Sequence, residues 1–317
     1  MTNQDIGKKS NLDFIWLELT YQCNLSCSHC YTESSPDAGV KDKLSYEEYV
    51  DVLAGAADLG CRAVQFIGGE PTLHPRLPDL IEAADRLGYE FQEVFSNLTR
   101  LPSRVLDSIK TFGVQVATSV YGANPNIHDQ ITNRPGSHKR TVSNASRLVA
   151  EGIPLRVSVI CMEANAEHVA ETIDFVQSLG VKNIGVDDIR GFGRASGGSE
   201  SMSDLCGNCA GNIACVTADG RVSPCIMSRT WSVGSIQQAS FNELITGGGM
   251  SKARLEIAAA TGNLLAHGQD TTRMSCSPCA PSDANCAPNC SPNYSCTPCA
   301  PNGSWKCQPN LFCNPAQ

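Results

Sequence analysis

The sequence predicts an α/β fold: a partial (β/α)6 barrel built on parallel strands, followed by a small cysteine-rich C-terminal domain. Three observations carry this. Short apolar, β-rich runs alternate with longer helical segments through the first two-thirds of the chain, the pattern of repeated βαβ units around a parallel sheet. Five helical segments run out into glycine, at Gly60, Gly88, Gly113, Gly152 and Gly180, where helix C-termini favour it. Composition then changes after Asp188, where 191–204 become Gly/Ser-rich. Six strands are too few for a closed eight-strand barrel, so an open sheet or partial barrel is expected.

In order, strands are expected at Phe14–Leu19, Ala63–Ile67, Glu90–Phe95, Gln115–Val120, Leu155–Ile160 and Lys182–Val186. Helices are expected at Tyr46–Leu59, Leu77–Leu87, Ser103–Phe112, Thr141–Glu151 and Ala166–Leu179. The first helix opens on Ser45 and Glu48, the spacing of a capping box. The domains read as 1–190 for the barrel core, 191–204 for a linker and 205–317 for the cysteine-rich part. That last part shows one helical stretch, Phe241–Ala260, and few large apolar residues. A unit so poor in core needs a staple, either metal or disulfide.

Composition excludes some functions. The chain has 317 residues, a net charge of −8 and only 18% charged residues, which is not the basic surface that nucleic acid requires. No apolar run reaches the roughly 18 residues of a membrane span. The N-terminus lacks the apolar stretch and cleavage site of a signal peptide, so a cytoplasmic location is expected. In that compartment thiols stay reduced, and 17 cysteines point to metal rather than disulfides.

Cys23, Cys27 and Cys30 form C-x3-C-x2-C on the loop leaving the first expected strand. Loops at strand C-termini are where barrel folds place chemistry. Three thiolates leave one position open on a four-iron cluster, as catalytic metal sites do. Cys61 and Cys161 lie beside strands and read as buried apolar residues. His74, His128 and His168 have no ligand-like spacing.

With these cysteines, Gly68-Gly69-Glu70-Pro71 after the second strand and Ser96-Asn97 after the third give a chain that resembles the radical S-adenosylmethionine enzymes. The resemblance implies a [4Fe–4S] cluster on Cys23, Cys27 and Cys30, with S-adenosylmethionine on its open iron. It implies cofactor contacts from Gly68, Gly69, Glu70 and Asn97, a ribose contact from Ser119, and a carboxylate contact from Arg134 in the stretch Asp129 to Ser137. It also implies reductive cleavage to a 5′-deoxyadenosyl radical that abstracts hydrogen from substrate, with flavodoxin or ferredoxin as electron donor. One position departs from the family: His29 stands where an aromatic residue usually precedes the third cysteine, and a ring is kept.

Farther on, Cys209 and Cys215 lead to Gly220-x4-Cys225, and Cys276, Cys279, Cys286 and Cys290 follow as C-x2-C-x6-C-x3-C, then Cys296. This is similar to the SPASM domain that carries auxiliary clusters. The likeness implies one cluster on Cys209, Cys215, Cys225 and Cys290 and another on Cys276, Cys279, Cys286 and Cys296. The shorter twitch arrangement, with a single cluster on Cys206 or Cys209, Cys225, Cys276 and Cys279, stays open, as does zinc. Each tail cysteine precedes an x-Pro pair that stiffens the chain and lacks an amide donor.

The substrate expectation follows from chain length. Cys23 leaves no room before it for a leader-binding domain, so a small hydroxyl-rich natural product, a sugar or aminocyclitol of antibiotic biosynthesis, is expected. Epimerisation or dehydrogenation would result, with a surplus thiol (Cys206, Cys299, Cys307 or Cys313) as a candidate hydrogen donor. The alternative is a ribosomal-peptide maturase that installs a thioether or carbon–carbon crosslink.

Overall fold

The structure, a computed structural model, describes residues 12–39 and 41–262. The expectations for Cys276, Cys279, Cys286, Cys290, Cys296, Cys299, Cys307 and Cys313 lie outside these residues. Six parallel strands form as expected: β1 (Phe14–Glu18), β2 (Ala63–Ile67), β3 (Phe91–Phe95), β4 (Gln115–Ser119), β5 (Leu155–Cys161) and β6 (Asn183–Asp188). The helices between them are α1 (Tyr46–Asp58), α2 (Leu77–Arg86), α3 (Ser103–Thr111), α5 (Ser137–Ala150) and α6 (Val169–Ser178). Ser45 and Glu48 make the reciprocal capping box at the start of α1.

Four elements were not anticipated. Helix α4 (Pro125–Thr132) lies between β4 and α5; its sequence is polar and turn-rich, but Asn124 caps it and Pro125 starts it, a favourable opening. Strands β7 (Ile213–Val216), β8 (Arg221–Ser223) and β9 (Gly234–Ser235) are too short to show alternation. They also change the architecture, because β7 pairs in parallel with β1. The C-terminal part therefore extends the core sheet, whose order is β6-β5-β4-β3-β2-β1-β7-β8-β9. The expected helix Phe241–Ala260 is two helices, α7 (Phe241–Thr246) and α8 (Gly248–Thr261), broken at Gly247, where a Cβ would lie 2.6 Å from the Glu243 carbonyl oxygen.

Register explains the apolar strands. Ile15, Val64 and their neighbours in register face the helices, while Trp16, Gln65 and Glu93 share the opposite, inner face. On the helix side, Ile15, Leu17, Val64, Phe66, Val94, Val116 and Val157 pack with Leu53 of α1, Leu80 of α2, Leu106 of α3 and Leu148 of α5. On the inner side, Phe14, Trp16, Ala63 and Phe91 pack with Ile213, Leu205 and Ile257. With both faces covered, β1 and β2 are buried at every residue, which is why they read as continuous apolar runs. Burying each large side chain stabilises the fold by about 1.5–3 kcal/mol.

One buried polar cluster crosses the inner face of the sheet. Arg156 of β5 reaches over β4 to Glu93 of β3, donating through Nη2 at 2.6 Å and Nε at 3.2 Å. Gln65 also donates to Glu93. The residue of β4 in register with Arg156 is Ala117, small enough to let the guanidinium pass. Glu93 is fully buried and Arg156 nearly so. Removing one member leaves the other as an uncompensated buried charge. Arg156→Met should therefore lower stability by about 3–5 kcal/mol, and adding Glu93→Leu should restore most of it; urea midpoints of the two variants check this.

Candidate functional site

The C-terminal ends of the strands surround a cavity of about 280 Å³. Cys23, Cys27, Cys30, Gly68, Gly69, Asn97 and Ser119 all line it. The loop that carries the cysteines is fixed from several sides. The Thr20 and Gln22 carbonyls accept from the amides of Gly69 and Glu70 at 2.7 and 2.9 Å. Ser26 and Ser28 donate to the carbonyls of Thr132 and Ile131, and Asn133 donates to the Ser26 carbonyl at 2.7 Å. The unanticipated α4 thus ends against the middle of the cysteine loop.

The glycine turn also packs against the cysteine loop. A Cβ on Gly68 would lie 2.6 Å from the Thr20 carbonyl oxygen, and one on Gly69 would lie 2.3 Å from that of Gln22. The glycines therefore let the cysteine loop pack against the end of β2, besides bordering the cavity. Gly68 also has φ +141°, which L side chains rarely adopt.

Glu70 and Arg134 do not line the cavity. The Glu70 carboxylate is buried and accepts from Thr72 N and Oγ1, Ser96 Oγ and Asn97 N, at 2.6–3.1 Å. Its contacts position Ser96-Asn97. Arg134 is exposed. Its neighbour Asp129 accepts from Gly136 N, Ser137 Oγ and His138 N, at 2.5–2.8 Å, which fastens the start of α5. The arginines on the cavity wall are Arg156 and Arg190, and nothing in their local sequence distinguishes them from surface arginines.

The sulfur environments suit a cationic cluster. Leu25 N and Asn97 Nδ2 point at Cys23 Sγ, at 3.4 and 3.7 Å, and Thr32 Oγ1 lies 3.2 Å from Cys30 Sγ. Burial, then the nearby Glu70 charge, pushes the Cys23 thiol up to about 12. Burial and the charges of Cys30 and Cys23 also raise Cys27. Thiolates at Cys23 and Cys27, disfavoured by burial and by neighbouring negative charge, need a cation to hold them. Three cysteines lining one cavity supply three of the four thiolate positions of a [4Fe–4S] cluster and leave one iron open.

His29 behaves as the aromatic it replaces. Burial, aided by the Arg194 charge, lowers it to about 4, so it is neutral near pH 7, and its ring meets Tyr121 edge-on at 4.9 Å. His128 is buried beside Tyr121 and His138. Burial and then the His138 charge lower it to about 4, against an opposing pull from Asp129.

Across the cavity, Cys206, Cys209 and Cys225 also line the wall. Cys209 and Cys225 are joined sulfur to sulfur, with Cα atoms 5.3 Å apart. Cys215 does not reach the wall; it is buried in β7, in register with Trp16, and packs in the same buried group as Cys209 and Cys225. The stretch read as a linker lies on the cysteine loop: Arg194 donates to the carbonyls of Cys27 and Ser34. Nothing in its Gly/Ser-rich surroundings signalled that role.

The chain matches the family profile described as the radical SAM superfamily over residues 17–176, and one described as an iron–sulfur cluster-binding domain, SPASM, over 199–280. It is 30% identical over 179 residues, 56% of its length and 39% of the relative's, to the antilisterial bacteriocin subtilosin biosynthesis protein AlbA of Bacillus subtilis (strain 168). It is 31% identical over 188 residues, 58% of its length and 49% of the relative's, to the PqqA peptide cyclase of Rhizobium meliloti (strain 1021). Its fold is similar to Streptococcus suis SuiB bound to precursor peptide SuiA, with a TM-score of 0.62, 13% identity, and 77% of this chain and 66% of that chain covered. The chain spans about half the length of the curated relatives it matches, or less. These relatives overturn the expectation of a sugar or aminocyclitol substrate, and with it epimerisation or dehydrogenation of a small molecule. The position of Cys23 along the chain carries no weight against them.

Two outcomes test this geometry. Gly69→Ala forces a Cβ into backbone, so stability should fall by about 1–3 kcal/mol, with reduced iron content; melting curves and iron assay check both. For His128, the unfolded imidazole takes a proton near pH 6.5 and the folded one only near 4. Unfolding therefore takes up a proton between these values, and stability falls as pH drops through them. His128→Gln should flatten that loss by about 3 kcal/mol at pH 4, read from denaturation curves between pH 4 and 7.

Proposed function

The chain belongs to the radical SAM superfamily, and from that premise we propose that it is a peptide maturase that installs a thioether or carbon–carbon crosslink in a ribosomally made peptide. The observation that carries this is the pair of curated relatives, each about 30% identical over more than half of this chain, whose names specify a peptide cyclase and bacteriocin biosynthesis. Cys23, Cys27 and Cys30 hold the [4Fe–4S] cluster. Gly68, Gly69, Asn97 and Ser119 border the space for S-adenosylmethionine, and Glu70 positions Asn97 from below.

When bound, the cluster and S-adenosylmethionine supply an electron and a 5′-deoxyadenosyl radical. The protein's own residues exclude water and orient the reacting groups. Trp16, Ile67, Phe95 and Tyr121 form an apolar wall, which keeps solvent from a reactive centre. Cys209 and Cys225, joined to each other here, would serve as ligands of an auxiliary cluster once reduced to thiolates. An external flavodoxin or ferredoxin supplies electrons.

The test is hydrogen transfer. Reduced enzyme, S-adenosylmethionine and a candidate precursor peptide deuterated at the crosslinked residue should yield deuterated 5′-deoxyadenosine and a crosslinked peptide detectable by mass spectrometry. The Cys23, Cys27 and Cys30 triple alanine variant should yield neither. Deuterium transfer from a labelled sugar or aminocyclitol, with every peptide left unmodified, sinks the proposal.

A further inference from the structure

Against the cysteine loop lies a strap formed by residues 193–200, none of which lines the cavity. A Cβ on Gly193 would lie 2.4 Å from the Cys30 carbonyl oxygen and 2.5 Å from that of Tyr31, so the strap lies flat against the loop backbone. Arg194 follows at once. Its Nε donates to the Cys27 carbonyl at 2.7 Å and its Nη2 to the Ser34 carbonyl at 2.8 Å. Its backbone N–H donates to the Cys30 carbonyl at 3.1 Å. One residue thereby grips two of the three cysteine backbones and the end of their loop.

The strap is itself held. Glu200 accepts from Gly193 N at 2.9 Å and from the Thr230 hydroxyl in the C-terminal part. The half-buried Arg194 guanidinium is thereby held at the Cys27 backbone, with its positive charge beside the cysteine loop.

We propose that Arg194 is a positioning residue for the cluster on Cys23, Cys27 and Cys30, fixing its loop through the Cys27 and Ser34 carbonyls and setting its reduction potential by charge. This rests on assigning those three cysteines to the cluster. A planar fork reaches two carbonyls at once, which a lysine ammonium does not reproduce. A fixed cation favours the reduced cluster, which carries one more negative charge, because net charge and hydrogen bonding set cluster potentials. The two roles therefore separate: lysine keeps the charge and loses the fork, whereas glutamine loses the charge.

The experiment uses purified holoenzyme and the electron paramagnetic resonance signal that changes when S-adenosylmethionine is added, which marks this cluster. Redox titration gives its midpoint, and iron release to a chelator gives its retention. Arg194→Gln should lower the reduced-to-oxidised ratio at fixed potential about tenfold, 59 mV for a one-electron couple, and speed iron release several-fold. Arg194→Lys should keep the midpoint and still release iron faster than wild type. A wild-type midpoint in Arg194→Gln, an equal drop in both variants, or unchanged iron release in Arg194→Lys overturns the proposal. Where Arg194→Gln yields no folded protein, Arg194→Lys decides alone: a kept midpoint with faster release supports the proposal, and a lowered midpoint or unchanged release overturns it. A signal sensitive to S-adenosylmethionine that survives in the triple alanine variant removes the cysteine assignment instead, a distinct failure.

Discussion

The buried carboxylate of Glu70 ties together the ends of three strands. It follows β2, its amide donates to the Gln22 carbonyl beyond β1, and its oxygens hold Ser96 and Asn97 beyond β3. Burial raises its pKa, and the hydroxyl and amide donors around it pull the other way. Each hydrogen bond to a charged acceptor contributes about 1.5–3 kcal/mol, and an unsatisfied one is costly. Asn97, held in this way, aims its amide at Cys23 Sγ and Asn24. The thiolate loop therefore depends on a carboxylate that does not touch it. That is also why two glycines precede Glu70: any side chain there would push the loop off the strand that the carboxylate anchors.

The sheet joins the two cysteine regions more closely than their separation in sequence implies. Strand β1 carries the first cysteine loop at its end and pairs with β7 along its length. The buried Glu18 of β1 meets Arg229 at 2.9 Å, and Arg229 also donates to Tyr21, which donates to Asp219. Burial raises Glu18 and Arg229 opposes that shift. A buried pair of this kind adds little net stability against apolar packing, but losing one partner is severe. Its effect is geometric: it fixes the C-terminal part relative to the loop that begins two residues later.

The six core strands were legible because each is a short β-rich stretch ended by a turn, and burial on both faces makes β1 and β2 continuous apolar runs. The helices between them were legible from their period and their terminal glycines. The cysteine triplet and the glycine turn were legible as motifs, and the cavity gathers Asn97 and Ser119 beside them. What the sequence hid was interaction rather than propensity. Helix α4 is short and polar, and its importance lies in where Asn133 and the last carbonyls land. Strand β7 exists because β1 offers it an edge. Arg194 sits among Gly and Ser, and only the fold brings it to Cys27. Glu70 and Arg134 lie off the cavity lining for the converse reason: a motif names residue types, and burial decides which of them borders the cavity.

Substrate class was the part of the sequence expectation that failed, and the relatives' names are what overturn it. A site for a hydroxyl-rich molecule needs donors and acceptors that converge on it. Here Arg156 is engaged by Glu93 and Ser158, Asp187 by Arg190, and Asn97 by Asn24. Between them stand Trp16, Ile67, Phe95, Tyr121, Ile160 and Ile213. Cysteine spacing encodes where iron is held, and the glycine turn encodes how that loop packs. Neither depends on what enters the cavity, so motifs that identify the cofactor chemistry leave the substrate unspecified, and a count of residues ahead of the first cysteine could not supply it.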